Sequence, residues 1–331
     1  MSNSSAKPLL SVRNLVIEFT TRYGPVRAVD GISFDIYPNE TVGIVGESGC
    51  GKTVTGLALL RLIPSPPGRI VSGSIMLGDR DLTKVSDEEM QDIRGDEISM
   101  IFQEPMTALN PVLSVGSQMV DVLRQHKNLT RRQARQMAID MLFRVGIPAP
   151  QKRIDEYPHQ LSGGMRQRVM IAMALSCDPK VLVADEPTTA LDVTTQAQVL
   201  EQMVKLQEEF GMAVILVTHD LGVIAETCQR ALVMYCGNIV ETGSIADLFS
   251  RPRHPYTRGL LDSIPRIRDE RLAELPIIPG IVPDLMHLPA GCRFADRCKH
   301  ADAQCRQSQP QYVADASGIA GAACFHPLRQ E

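Results

Sequence analysis

The stretch GESGCGKT, residues 46–53, restricts the possible folds of this chain more than any other eight residues in it. Gly46, Gly51, Lys52 and Thr53 fill the fixed positions of G-x-x-x-x-G-K-[ST], with Glu47, Ser48, Gly49 and Cys50 between them. The glycines let backbone N–H groups curl around phosphate oxygens where side chains would obstruct them. A short apolar run, TVGIVG, leads into the turn, and KTVTGLALLRLI, with helical periodicity, leads out of it. A helix that begins at Lys52–Thr53 turns its partly positive N-terminus toward the same phosphates. In that arrangement Lys52 reaches the β/γ-phosphates and Thr53 offers its hydroxyl to Mg²⁺.

A second block, VLVADEP, supplies the acids such a site needs. Asp185 ends a buried-strand pattern, a position from which a carboxylate can hold the Mg²⁺ shell. Glu186 is next in line and suited to take a proton from an attacking water. Adjacent carboxylates after a strand are usually only solvated loop charges, and it is the phosphate loop upstream that reverses this reading. The chemistry indicated is nucleoside triphosphate hydrolysis.

The rest of the chain fits an α/β domain with a mainly parallel sheet. LLSVRNLVIEF and GISFDIY read as strands, MAVILVTHD as a buried strand, and residues 115–145 carry helical spacing. In TTQAQVLEQMVKLQEEFG, Val199, Leu200, Met203, Val204 and Leu206 fall on one helical face. Short apolar strands that feed helices indicate strands covered on both faces. After about residue 250 the texture changes to RPRHPYTRGL, a Pro-rich spacing at 276–289, and then a run of cysteines, which marks an appendage.

Composition excludes several classes. At 331 residues with 44% hydrophobic side chains, the chain can bury a large core and is not expected to be disordered. A net charge of −4 gives no global attraction to nucleic acid or anionic lipid. MSNSSAKPLL lacks the basic start and apolar core of a secretory signal, and no apolar run approaches the length that spans a bilayer. The expected setting is reducing, where a disulfide framework is not expected.

LSGGMRQRVMIAMAL, residues 161–175, resembles the signature motif of ABC-type ATPases. Ser162 is placed to cap a helix that begins at Gly163 and Gly164, which makes a second anion-binding helix end. The resemblance implies that this end meets the γ-phosphate held by an opposing subunit, so that hydrolysis needs a dimer. Met165 stands where the family usually has Gln, whereas the phosphate-touching residues are kept. The other family positions follow in order. Tyr23 matches the aromatic that stacks on adenine, and Gln103 matches the glutamine that touches Mg²⁺ and the attacking water. Asp192, in ALD, matches the acid of the loop that crosses to the partner. His219 matches the histidine that contacts the γ-phosphate and supports Glu186 as catalytic base. Taken alone, the tyrosine and the histidine would each read as structural.

FQEPMTALNP, PHQLSGGMRQR and RHPYTRGLL are similar to the oligopeptide/dipeptide/nickel importer branch. That resemblance implies an ATPase core over 1–250 with an antiparallel β subdomain and a helical subdomain at about 105–175, followed by an extension at 251–331. It further implies a second related ATPase subunit, two membrane permeases, an extracytoplasmic peptide-binding protein, and a peripheral position at the cytoplasmic face of the inner membrane. Nucleic acid is not an expected partner. The competing reading is a soluble ABC ATPase with a zinc module that works on nucleic acid or ribosomes. Such proteins carry paired cores, coiled-coil insertions or basic arms, none of which is evident here. An exporter half would need a fused membrane domain.

Half of the 8 cysteines, Cys292, Cys298, Cys305 and Cys324, lie near the C-terminus with five, six and eighteen residues between them. No C-x-x-C pair is present, which weakens a zinc ribbon. A four-thiolate iron–sulfur cluster does not require that spacing. The branch resemblance implies a [4Fe–4S] centre here, with Zn²⁺ or free thiols as the alternatives. Cys50, Cys177, Cys228 and Cys236 read as small buried core residues.

Overall fold

The computed structural model describes residues 7–189, 191–264, 277–315 and 318–328, and these fall into two compact units. The first comprises the described residues of Met1–Ile36, Thr41–Thr83 and Val217–Glu331. Its N-terminal part is an antiparallel sheet in the order Gly24–Ile36, Leu10–Thr21, Gly68–Leu77, Arg80–Asp81. Leu10, Val12, Leu15 and Ile17 are fully buried, so the alternation skips a residue between Val12 and Leu15. A register shift falls there, and Asn14 takes a left-handed φ of 46°. The bulge returns Leu15 to the inner face.

A second sheet in this unit runs Val313–Ala314, Gly321–Ala322, Asn238–Ser244, Arg230–Tyr235, Thr41–Val45. Thr41–Val45 pairs in parallel with Arg230–Tyr235, and both strands are buried at every position. That burial explains why they read as continuous apolar runs without alternation. The strand pairs beyond are antiparallel. Two short strands near the C-terminus thus prolong the sheet that delivers the phosphate loop.

The second unit comprises Tyr37–Glu40 and Lys84–Leu216. Its strands lie in the order Ala213–Thr218, Val181–Asp185, Ile98–Ile101, the last two residues of Ala213–Thr218 belonging to the first unit. The helical stretch at 115–145 resolves into Val115–His126 and Arg131–Arg144. They are separated because Thr130 starts a new helix with a capping box to Gln133. In Val193–Phe210 the residues Val199, Leu200, Met203 and Leu206 are buried, while Val204 is only half-buried at the edge of the stripe.

Candidate functional site

The phosphate loop leaves Thr41–Val45 and enters helix Lys52–Leu59, as the sequence predicts. Gly51 is the N-cap, with φ 101°, and a Cβ there would lie 2.5 Å from the Ala28 carbonyl oxygen. A Cβ on Gly46 would lie 2.2 Å from the Met234 carbonyl oxygen. Both glycines are therefore required by close backbone approach as well as by the turn. Ser48 and Gly49 are exposed at the tip, and Thr53 is exposed at the helix start. Lys52 is only 6% exposed, and its Nζ donates to the carbonyls of Gly46 at 2.8 Å and Glu47 at 3.1 Å. The ammonium is thus held within the curl of its own loop. Cys50 is fully buried, and burial raises its thiol pKa.

Elsewhere in the first unit, Tyr23 sits at the hairpin turn between the first two strands, 69% exposed, with the Arg22 guanidinium 4.7 Å from its ring centre. Its ring is presented to solvent, where a planar ligand can stack. His219 is exposed between strand Ala213–Thr218 and the Asp220 cap of the next helix.

The acids belong to the second unit. Asp185 closes its strand and is 2% exposed. Glu186 follows with φ 45°, left-handed backbone that a non-glycine residue adopts at a cost. Its Oε2 accepts from Gln103 Nε2 at 2.9 Å and from the Thr189 hydroxyl at 3.0 Å. The structure thereby brings together the predicted base and the predicted Mg²⁺/water glutamine. In the same unit Ser162 caps helix Gly163–Leu175, its hydroxyl accepting from Met165 N at 3.3 Å. Asp192 caps helix Val193–Phe210, accepting from the Thr195 backbone N–H and hydroxyl at 3.0 and 2.6 Å. The Thr195 hydroxyl, then its N–H, holds the Asp192 carboxyl below its ordinary value. A Cβ on Gly164 would meet the Thr195 methyl at 2.9 Å, so the two helix starts lie side by side. Ala190, of the ALD loop, lies outside the described residues.

The C-terminal cysteines converge: Cys292, Cys298, Cys305 and Cys324 line one small cavity with His300 and His326. Burial pushes the thiols of Cys292 and Cys298 up and that of Cys324 up to about 11, and neighbouring cysteines add to each. Thiols in such a setting ionise readily only when a cation shares them, as metal binding provides. Ligand atoms of Asp302, Cys305 and His326 also lie within 4.8 Å of one another. Sequence reasoning missed Asp302 and His326. The available signals were a cap spacing, Asp302 three residues before Cys305, and a histidine two residues after Cys324. Of the core cysteines, Cys177 and Cys236 are buried as predicted. Cys228, at the C-terminal end of the short helix Leu221–Thr227, is half-buried as a residue.

Residues 29–189 match the family model described as ABC transporter, and residues 240–305 match the oligopeptide/dipeptide transporter C-terminal region. The chain is 53% identical over 310 residues to the oligopeptide transport ATP-binding protein AppD of Bacillus subtilis, covering 94% of each. It belongs to the ABC transporter family of ATP-binding subunits. The dipeptide transport ATP-binding protein DppD of the same organism is 52% identical, over 91% of this chain and 90% of DppD. Among solved structures, the dimeric post-hydrolysis state of the ATP-binding cassette MJ0796 bound to ADP and Pi superposes with a TM-score of 0.64. It is 26% identical and covers 71% of this chain and 98% of that one. An ABC ATPase binds and hydrolyses ATP with Mg²⁺, which fits the phosphate loop and acids described above. Among the described residues, no helix is long and apolar enough to cross a membrane.

Proposed function

We propose that this chain is the ATP-hydrolysing motor of a membrane importer for dipeptides and short peptides. The observation that carries the proposal is the near full-length likeness to relatives named as oligopeptide and dipeptide transport ATP-binding proteins, including the C-terminal region. In this reading residues 1–250 form the nucleotide-binding domain and 251–331 the importer-type extension. The backbone of Gly46–Thr53 cradles the phosphates, Lys52 neutralises β/γ charge, and Tyr23 stacks on adenine. Thr53, Gln103 and Asp185 organise Mg²⁺. Glu186 takes the proton of the attacking water, and His219 supports it. Ser162, Gly163, Gly164 and Asp192 complete the site of a partner ATPase subunit. The left-handed Glu186 backbone supports its role, because strain of that kind persists where surrounding contacts hold a functional group in place.

The partners in this reading are a second, related ATPase subunit, two permeases, and an extracytoplasmic peptide-binding protein, with this chain peripheral at the cytoplasmic face of the inner membrane. ATP binding closes the ATPase dimer and switches permease access, and hydrolysis resets it. Affinity purification from solubilised membranes tests the assignment. Integral permease subunits should co-purify. Recovery of nucleic acid or ribosomes without permeases would replace the proposal with the soluble-ATPase reading.

We further propose that Cys292, Cys298, Cys305 and Cys324 hold a [4Fe–4S] cluster, supported by their shared cavity. Bound there, the cluster would supply a cross-link for a tail with little core of its own. The Asp302–Cys305–His326 group favours a second reading, a mixed-ligand Zn²⁺ site. Anaerobic purification followed by iron, sulfide and zinc analysis separates them. Stoichiometric zinc without iron would exclude the cluster and leave a zinc site at this cavity.

A further inference from the structure

The HPYT segment and the cysteine-rich tail have no part in the ATP chemistry described so far, yet both end on one residue of the phosphate loop. Tyr256 is fully buried, and its hydroxyl accepts the backbone N–H of Glu47 at 2.9 Å. The Glu47 carboxylate is gripped by Arg297, with Nη1 to Oε2 at 2.7 Å and Nη2 to Oε1 at 2.9 Å. This is the fork-on-fork geometry in which guanidinium binds carboxylate most specifically. The Arg297 side chain is only 4% exposed, against 28% for that of Glu47. Its remaining donors are also used, Nε on the Pro279 carbonyl at 2.9 Å and Nη1 on the Tyr235 hydroxyl at 3.3 Å.

Both anchors are themselves fixed from the same unit. The Glu241 carboxylate accepts the backbone N–H groups of Arg253 and His254 at 2.6 and 2.9 Å. His254 Nδ1 then caps the Tyr256 N–H at 3.0 Å. Tyr235, Tyr256 and Phe294 pack ring against ring, with centroids 4.6 and 5.3 Å apart. Arg297 directly precedes Cys298, on the wall of the cysteine cavity.

We propose that Arg297 and Tyr256 are positioning residues for the phosphate loop, so that the C-terminal extension sets nucleotide affinity through Glu47. Glu47 lies one residue after Gly46 and one before the exposed tip of the loop. Holding both its backbone and its carboxylate pre-organises the N–H groups that must converge on phosphate. Neither anchor is placed on the phosphates; each acts through Glu47. The inference rests on the loop as the ATP site, and Lys52→Ala is the control for that premise.

The test is titration of a fluorescent ATP analogue with Mg²⁺ into the full chain carrying Glu47→Gln, Arg297→Met, or both, with ATP turnover of the assembled transporter alongside. Each single substitution should raise the dissociation constant roughly five- to tenfold, within the usual range of coupling between sites. The double variant should be no worse than either single one. In Arg297→Met, which lies outside the loop, KM should rise while kcat stays within about twofold, a split that general destabilisation would not produce. Arg297→Lys, which keeps the charge but loses the fork, should recover part of the affinity. Wild-type affinity in Arg297→Met, or effects that multiply in the double variant, would overturn the proposal. If Arg297→Met fails to fold, Glu47→Gln decides alone: the same loss supports the tie and unchanged affinity refutes it. If Lys52→Ala leaves binding intact, the premise fails instead.

Discussion

Among single residues Lys52 matters most, because its ammonium is both the cation for the phosphates and a staple across its own loop. Lys52→Ala should weaken nucleotide binding by at least roughly tenfold, since the β/γ charge loses its cation and two loop carbonyls lose a donor. Isothermal titration with Mg-ATP measures this, and unchanged affinity would contradict the assignment. For individual residues the sequence was informative wherever chemistry demands a particular side chain at a particular spacing. The glycines and Lys52 were legible because backbone must approach backbone and phosphate. Glu186 was legible as an acid, but its left-handed backbone was not, since nothing in VLVADEP marks a non-glycine residue for that region.

Among the secondary-structure elements, helix caps separate local stability from function. Ser162 and Thr130 each cap a helix by the same side-chain geometry, but only Ser162 belongs to the proposed ATP sandwich. Substituting either by Ala should cost on the order of 1 kcal/mol in urea unfolding. Only Ser162→Ala should also impair ATP-dependent dimerisation, scored by size-exclusion chromatography with and without nucleotide. Helix Pro255–Asp262 is capped by buried His254, whose pKa burial drives down from 6.5 to about 4. Below pH 6.5 the unfolded chain takes up a proton there that the folded chain refuses until about pH 4. The contribution of this group to stability should therefore be complete above pH 6.5 and decline between 6.5 and 4. Urea midpoints across that interval measure the decline, and His254→Asn should flatten part of it. Element boundaries were legible where start signals stand out, as at Lys52 and Ser162, whereas the break at Thr130 lay hidden within one helical spacing over 115–145. The strand Ile98–Ile101 was harder to see, because so short and fully buried a run carries no period.

For the molecule as a whole, the α/β architecture and its ATPase character follow from motifs in chain order, whereas the role of the extension depends on partners far apart in sequence. Arg297 and Glu47 are 250 residues apart, and no local pattern joins them. The same holds for the cysteine cavity, whose histidine and aspartate neighbours are set by packing. Whether this subunit drives peptide import by hydrolysis at Glu186 is decided by ATP turnover and peptide uptake in vesicles that carry the reconstituted transporter with Glu186→Gln. The expected result is retained ATP binding, a trapped closed dimer, and turnover and uptake reduced roughly a hundredfold or more, as befits loss of a general base. Hydrolysis and uptake at the wild-type rate would contradict that role.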